Sequence, residues 1–314
     1  MPPAIDDRPT VRAVAFQQGA QMPAALRLAV PLVVLLGAAA VPGRAADADA
    51  VKEKLFQAKK TYDVELQAFR KAVEDHLNKR EDEVRNSGTK KLVDQARAER
   101  DRFVSAGEAP PNLPPAVQNP ITTARAALNA AYTDAVKEYV RIKEDEAAEA
   151  AENEQREFRF TSALAFGKRT HLASLRHYDL KCSNGWFSNN GVCPNKKVKY
   201  QVNGEFAPHS IFLHPPTKGT GQVKYPLGGS WTALRATVGV PKIEDNAGHP
   251  ASALTFEVLG DGKSLWKSEP VTRWNEYQSF AVKVEKVKTL TLLVHSADQA
   301  EWARSVFVEP VLFE

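Results

Sequence analysis

Cysteine is scarce in this chain of 314 residues, and so is methionine: there are two of each. Two cysteines exclude a disulfide-dense scaffold and leave room for one intramolecular bridge. Charge of one sign is also lacking. With 42 basic and 38 acidic side chains the formal charge is +4, which gives no footing for a nucleic-acid partner or an anionic membrane surface. Catalytic signatures are missing as well. No Gly-x-Ser-x-Gly, no His-Glu-x-x-His and no glycine-rich loop between a strand and a helix occurs. Gly219-Thr220-Gly221 lies between two expected strands and reads as a turn. Two placed carboxylates would suffice for a glycosidase, yet most carboxylates here fall on polar helix faces, so the expectation is a protein that is not an enzyme. What remains is an ordinary globular composition, 43% hydrophobic and 25% charged, in a length that suits about two domains.

Residues 1–21 are polar and unpatterned and read as disordered or as a misassigned extension. Met22 begins a second start: Arg27, an apolar run from Leu28 to Ala40, then Gly43-Arg44-Ala45. A charged n-region, a short apolar h-region and a small-residue cleavage site make residues 22–45 a signal peptide. The apolar run falls short of the ~20 residues a membrane span requires. The expected mature chain is exported to the periplasm, the cell envelope or the extracellular space, with no membrane span.

Residues 47–158 carry helical periodicity. Leu55, Tyr62, Leu66, Phe69, Val73 and Leu77 recur at steps of three, four and seven, with charged residues on the other faces. Asn86-Ser87-Gly88 predicts a break, and Leu92, Val93, Ala96 and Phe103 resume the stripe. Ala109–Pro115 cannot be helical, and 109–120 is expected to be a proline-rich loop. A second helix is expected from about Pro120, with Asn119 as its cap and Ile121, Leu128, Tyr132, Ala135, Val136 and Tyr139 as its stripe, running into the acidic tract Glu144–Glu157. Two such helices form an antiparallel hairpin. A self-associating coiled coil is the sharper alternative, though Ala, Arg and Asn interrupt its core positions.

Residues 160–314 change to strand-like patterning from Phe160. In Trp231–Val240, Leu234, Ala236, Val238 and Val240 share one face and Trp231, Arg235 and Thr237 the other; Leu254, Phe256 and Val258 alternate with Thr255 and Glu257. Gly260-Asp261-Gly262 signals a tight hairpin. Further strands are expected at Tyr277–Val284, Val287–His295 and Ser305–Phe313. Many short strands between turn signals read as a sandwich or jelly roll. The change of period predicts that helices and sandwich fold separately. Cys182 and Cys193 flank a Gly/Asn/Ser-rich loop; in an exported protein they are expected to pair, contributing roughly 2–3 kcal/mol. Metal ligation by the two thiols would need more ligands than the nearby His177, so no metal site is assigned.

Four stretches in order carry a resemblance: Phe212-Leu213-His214-Pro215-Pro216, Val223-Lys224-Tyr225-Pro226-Leu227-Gly228-Gly229, Leu234-Arg235-Ala236-Thr237-Val238-Gly239-Val240 and Phe256-Glu257-Val258-Leu259-Gly260-Asp261-Gly262. Together they resemble the NPCBM family, whose name abbreviates a carbohydrate-binding module, over the C-terminal half from about His171, with His171–Arg176 as its opening strand. The resemblance implies a galactose-binding-like jelly roll, so the fold class expected is α+β by segregated domains: an α-helical hairpin, then an antiparallel β-sandwich. It implies a carbohydrate partner, galactose-like, and allows a structural calcium; no cofactor is otherwise expected. It aligns the family's His with His214, while Pro241 replaces the family's acidic residue after the Val-Gly-Val strand.

A sugar site needs an aromatic face for the ring and planar polar groups for its hydroxyls. The five tryptophans are Trp186, Trp231, Trp266, Trp274 and Trp302. Trp231 and Trp266 bound strands and are expected to cover the sandwich edge. Trp186, in a Gly/Asn loop, and Trp274, beside Arg273, are expected to be exposed. His209 and His214 bracket the apolar Ile211-Phe212-Leu213. The expected carbohydrate site is therefore Trp186, His214, Arg273 and Trp274. The competing expectation is a structural or protein-interaction module of the cell envelope, with the helices mediating association.

Overall fold

A computed structural model describes residues 42–107, 109–110, 112–194, 198–202, 205–217, 219–241, 253–296 and 304–314. The expected extension 1–21, nearly all of the expected signal segment and Trp302 lie outside these residues. No described helix is long and apolar enough to cross a membrane.

Four helices come first: α1 (Pro42–Asn86), α2 (Lys90–Ala106), α3 (Pro115–Arg141) and α4 (Asp145–Phe166). The expected hairpin is the α1–α3 pair. Val51, Leu55, Tyr62, Phe69, Val73 and Leu77 bury against Ile121, Leu128, Tyr132, Ala135 and Tyr139, so the apolar stripe read from the sequence is the packed face. The break at Ser87-Gly88 folds α2 back on α1, where the buried Glu81 carboxylate accepts hydrogen bonds from Arg85 (2.5 Å), Arg97 (2.9 Å) and Arg100 (2.5 Å). Arg97 first, then Arg85, hold that carboxyl below its usual range.

Three local expectations are corrected. The second helix begins at Pro115 rather than near Pro120: Pro115 occupies the first turn, where its missing N–H costs nothing, and Pro120 sits inside the helix at the cost of one backbone bond. The acidic tract is a separate helix, α4, set off by a turn at Ile142–Glu144 with Lys143 at positive φ. Phe160 is not strand-like: α4 continues to Phe166, because Phe158 and Phe166 make edge-on contacts with Tyr62 and Phe69 of α1, both at 5.1 Å.

Strand pairing after α4 is antiparallel throughout. The described strands are β1 (Arg169–His171), β2 (Tyr178–Lys181), β3 (Phe187–Ser188), β4 (Gln201–Val202), β5 (Glu205–Phe206), β6 (Ile211–Leu213), β7 (Gly219–Pro226), β8 (Ala233–Gly239), β9 (Leu254–Gly260), β10 (Lys263–Lys267), β11 (Tyr277–Lys283), β12 (Thr289–Ser296) and β13 (Val306–Phe313). The first sheet has the order β11-β8-β13-β6-β3, with β1 also on β13; the second is β10-β9-β12-β7-β2; β4 and β5 form a small ribbon. The expected opening strand His171–Arg176 is corrected: β1 ends at His171 and a 3-10 turn, Leu172–Ser174, follows, burying Leu172 and Ala173 in the core.

The sandwich core forms between the sheets. Leu234, Ala236 and Val238 of β8 face Phe256 and Val258 of β9, and Phe256 meets Phe307 edge-on at 5.4 Å. The Asp261-Gly262 turn joins β9 to β10 with both residues at positive φ, 48° and 81°, the conformation that Asp-Gly tolerates. Sheet one is covered outside as well. Phe160, Ala163 and Leu164 of α4 pack on Ala233, Val311 and Phe313; Cys193, Tyr200 and Ala207 pack on Phe212, Val306 and Val308. Strand β13 thus reads as an almost unbroken apolar run, as a strand buried on both faces does. A bulge between Val308 and Val311 shifts its register, which lets both Phe307 and Leu312, five residues apart, point into the core.

Cys182 and Cys193 are free thiols. The expected bridge is absent because the two pack in different places: Cys182 against the main core, Cys193 with Tyr200 and Phe212 on the outer face of sheet one.

Candidate functional site at the loop end of the sandwich

One register row crosses sheet one through Tyr277, Gly239, Val306, Phe212 and Ser188. Past this row every strand leaves the sheet at the same end. Trp274 precedes β11, Val240-Pro241 follow β8, Arg304 precedes β13, His214 follows β6 and Trp186 precedes β3. The topology therefore brings all four sequence-predicted residues to one end. It also splits them into two pairs. Trp186 and His214 sit at the β3 edge, Arg273 and Trp274 at the β11 edge, four strand spacings or roughly 19 Å apart at about 4.8 Å per strand. One sugar ring cannot touch both pairs.

At the β3 edge the Trp186 and His214 rings meet edge-on at 5.4 Å, and the His214 N–H donates to the Trp186 carbonyl at 3.1 Å. His214 Nδ1 donates to the Pro215 carbonyl at 2.8 Å. Burial, with the Arg304 charge adding to it, lowers the imidazole pKa against the effect of that hydrogen bond. Arg304 was missed by sequence reasoning. Its guanidinium lies 4.7 Å from the Trp186 centroid and its Nη1 donates to Cys193 Sγ at 3.7 Å. One face of Trp186 is thus taken by a buried cation, a contact of about 0.5–2 kcal/mol. Arg304 keeps the alternation of Val306, and a cation on the apolar side of a strand is the signal that could have pointed to it.

At the β11 edge Arg273 is exposed and Trp274 half-buried against the core. Glu276 shapes this turn: its Oε2 accepts from the N–H groups of Thr272 (3.0 Å) and Arg273 (3.1 Å). Asn275, at φ 59°, donates its N–H to the Val240 carbonyl at 2.8 Å. Of the two tryptophans expected to cover the sandwich edge, Trp231 packs on the core and Trp266 stacks on Phe280 at 4.2 Å.

A third cluster was also missed. Among the described residues, the one group of three or more His, Cys, Asp or Glu side chains with converging ligand atoms is His171, His209 and Glu309, whose atoms lie within 4.8 Å of one another. Sequence reasoning saw His209 only as a flank of β6, because the three positions are far apart in the chain. Two imidazoles and one carboxylate do not fit the calcium that the resemblance allows, since calcium takes oxygen ligands.

No curated protein sequence matches the chain. Among solved structures, the CBM51-2 and INT domains of Clostridium perfringens ZmpB share 16% identity at a TM-score of 0.41, covering 47% of this chain and 32% of that one. The CBM51 of Clostridium perfringens GH95 in complex with methyl-galactose shares 20% identity at a TM-score of 0.39, covering 46% of this chain and 99% of that one. This chain therefore spans about a third of the ZmpB structure and nearly all of the GH95 module. Residues 180–312 match the family model of the NPCBM/NEW2 domain, a match that falls within the strand-rich part of the chain.

Proposed function

We propose that this chain is an exported, non-catalytic carbohydrate-binding protein whose sandwich takes a neutral, galactose-like sugar at its loop end. The NPCBM/NEW2 match over residues 180–312 carries this reading. The site is placed at the β11 edge, where Arg273 offers an exposed planar donor beside the indole of Trp274; the Trp186–His214 pair at the far edge serves a second sugar unit. Ring stacking and a few neutral hydrogen bonds, each contributing a net ~1 kcal/mol, correspond to about millimolar to micromolar dissociation constants. Binding of a neutral ligand should change little with salt. A second reading, a protein-interaction module of the cell envelope with helix-mediated association, has in its favour the exposed Phe56, Val64 and Val140 on the helices.

Calorimetry against neutral monosaccharides, disaccharides and oligosaccharides long enough to reach both edges is the test. Trp274→Ala should weaken monosaccharide binding with the fold intact, and Trp186→Ala should weaken only longer ligands. A folded protein that binds none of the panel at millimolar concentration refutes the carbohydrate reading in favour of the interaction module.

A further inference from the structure

Strand β13 changes partner along one edge. Val306 and Phe307 pair with β6, and Val311 to Phe313 pair with β1. The bulge lies between, with Glu309 at φ 44° followed by Pro310. A bulge re-aims its side chain, and such bulges gather at working sites. Here the re-aimed side chain is a carboxylate, held by the His209 backbone N–H on Oε1 at 2.9 Å. Its Oε2 lies 3.3 Å from His171 Nδ1. That ring nitrogen is buried and makes no hydrogen bond. The His209 ring stacks on the His171 ring at 3.8 Å between centroids. Three segments distant in sequence, the end of β1, the turn before β6 and the bulge, thus bring one ligand atom each to within 4.8 Å of one another.

We propose that His171, His209 and Glu309 form a binding site for a divalent transition metal ion of the zinc type, with a further coordination position open to solvent. Two imidazole nitrogens and a carboxylate oxygen are a donor set suited to zinc and not to calcium or magnesium. The spacing suits the size of the ion. Two ligands each ~2.0–2.1 Å from a tetrahedral zinc stand about 3.4 Å apart, close to the 3.3 Å between His171 Nδ1 and Glu309 Oε2. A cation between them would be held by both the ring nitrogen, which makes no hydrogen bond, and the carboxylate oxygen. All three side chains are half-exposed, although the His171 Nδ1 atom itself is buried. Binding the metal ties both edge partners, β1 and β6, to the bulge of β13, so it should stabilise the sandwich by linkage.

The tag-free protein, stripped with chelator, is titrated with zinc chloride by calorimetry, and its Tm is recorded with and without zinc. One saturable ion per chain and a higher Tm are expected, with neither effect from calcium or magnesium. His209→Gln and Glu309→Gln should lose the stoichiometric binding, while His76→Gln, on α1, keeps it. Diethyl pyrocarbonate labelling of the unmutated protein, read by mass spectrometry, needs no variant: zinc should protect His171 and His209 and leave His76 reactive. Absence of saturable zinc binding by the folded protein overturns the proposal, as does labelling of His171 and His209 that zinc does not change.

Discussion

Phe313→Ala tests how the helical layer is joined to the sandwich. Phe313 is fully buried on the outer face of sheet one, in the cluster formed with Ala163 and Leu164 of α4. The guanidinium groups of Arg235 and Arg169 lie 5.3 and 5.8 Å from its ring centroid. Truncating a buried Phe costs ~3–5 kcal/mol, and two exposed-to-half-buried cation–π contacts add about 1–2 kcal/mol. At a typical urea m-value of roughly 2 kcal/mol/M, the sandwich midpoint should fall by about 2–3 M. The helices keep their own core, the α1–α3–α4 cluster from Val51 to Ala151, which Phe313 does not enter. Two probes separate the units. All five tryptophans lie at or beyond Trp186, so fluorescence reports the sandwich, while the far-ultraviolet dichroism is dominated by the helices. Fluorescence should move by the full amount and the helical signal by much less. Equal shifts in both probes would show one cooperative unit and refute separate folding; an unshifted fluorescence midpoint would refute the packing of Phe313.

Glu81→Gln should loosen the α1–α2 contact near neutral pH. Because hydrogen bonds from Arg97 and Arg85 depress the Glu81 pKa, its contribution is complete above the usual carboxylate pKa near 4.5 and is lost as pH falls through the lower folded value; the gap between variant and wild type in a dichroism-monitored melt should therefore close in acid, and a pH-independent gap would contradict it. Gly239→Ala should destabilise the sandwich, since an added Cβ would stand 2.3 Å from the Tyr277 ring and 2.5 Å from the Glu276 carbonyl; an overpacking cost of ~1–3 kcal/mol is expected in urea denaturation, and no change would mean that the ring and the turn move aside freely.

Periodicity made much of this fold legible. The helical stripe from Leu55 to Leu77 and the alternation of β8 and β9 each depend on residues near one another in the chain, and each packs as read. Element ends were less legible. Pro120 looked like a start because proline favours first turns, but Pro115 had already supplied one. Phe160 looked like the first strand residue because a helix that packs on two cores, one under α1 and one on sheet one, carries apolar residues on more than one face. The four residues expected to form one site share an end of the sandwich but not a place on it. Trp186, His214, Arg273 and Trp274 come to one end of the sandwich, but their division between opposite edges follows from strand order, which no local pattern encodes. The His171–His209–Glu309 cluster depends on that order and on a one-residue bulge, so nothing in the sequence spacing marks it.

Where a ligand can reach this sandwich follows from what covers it. Away from the core, sheet one is covered by α4 and by Cys193, Tyr200 and Ala207, but Ser279 and Ala281 of β11 are exposed. On the outer side of sheet two the outward-facing residues of Leu254–Gly260 are half-exposed, whereas Thr291 and Leu293 of the central strand β12 are buried. That face is occupied with its own pairings: Lys224 with Asp179 at 2.6 Å, and His295 between Glu257 at 2.9 Å and Thr220 at 3.0 Å. A neutral sugar docking on these groups would have to break those pairings without a compensating charge. The loop end is different. Its strands stop in one row, and its aromatic side chains, Trp186 and Trp274, stand beyond the last cross-strand pairs. A ring can stack there without displacing a salt bridge, which is why the proposed site is at the loop end rather than on the open sheet.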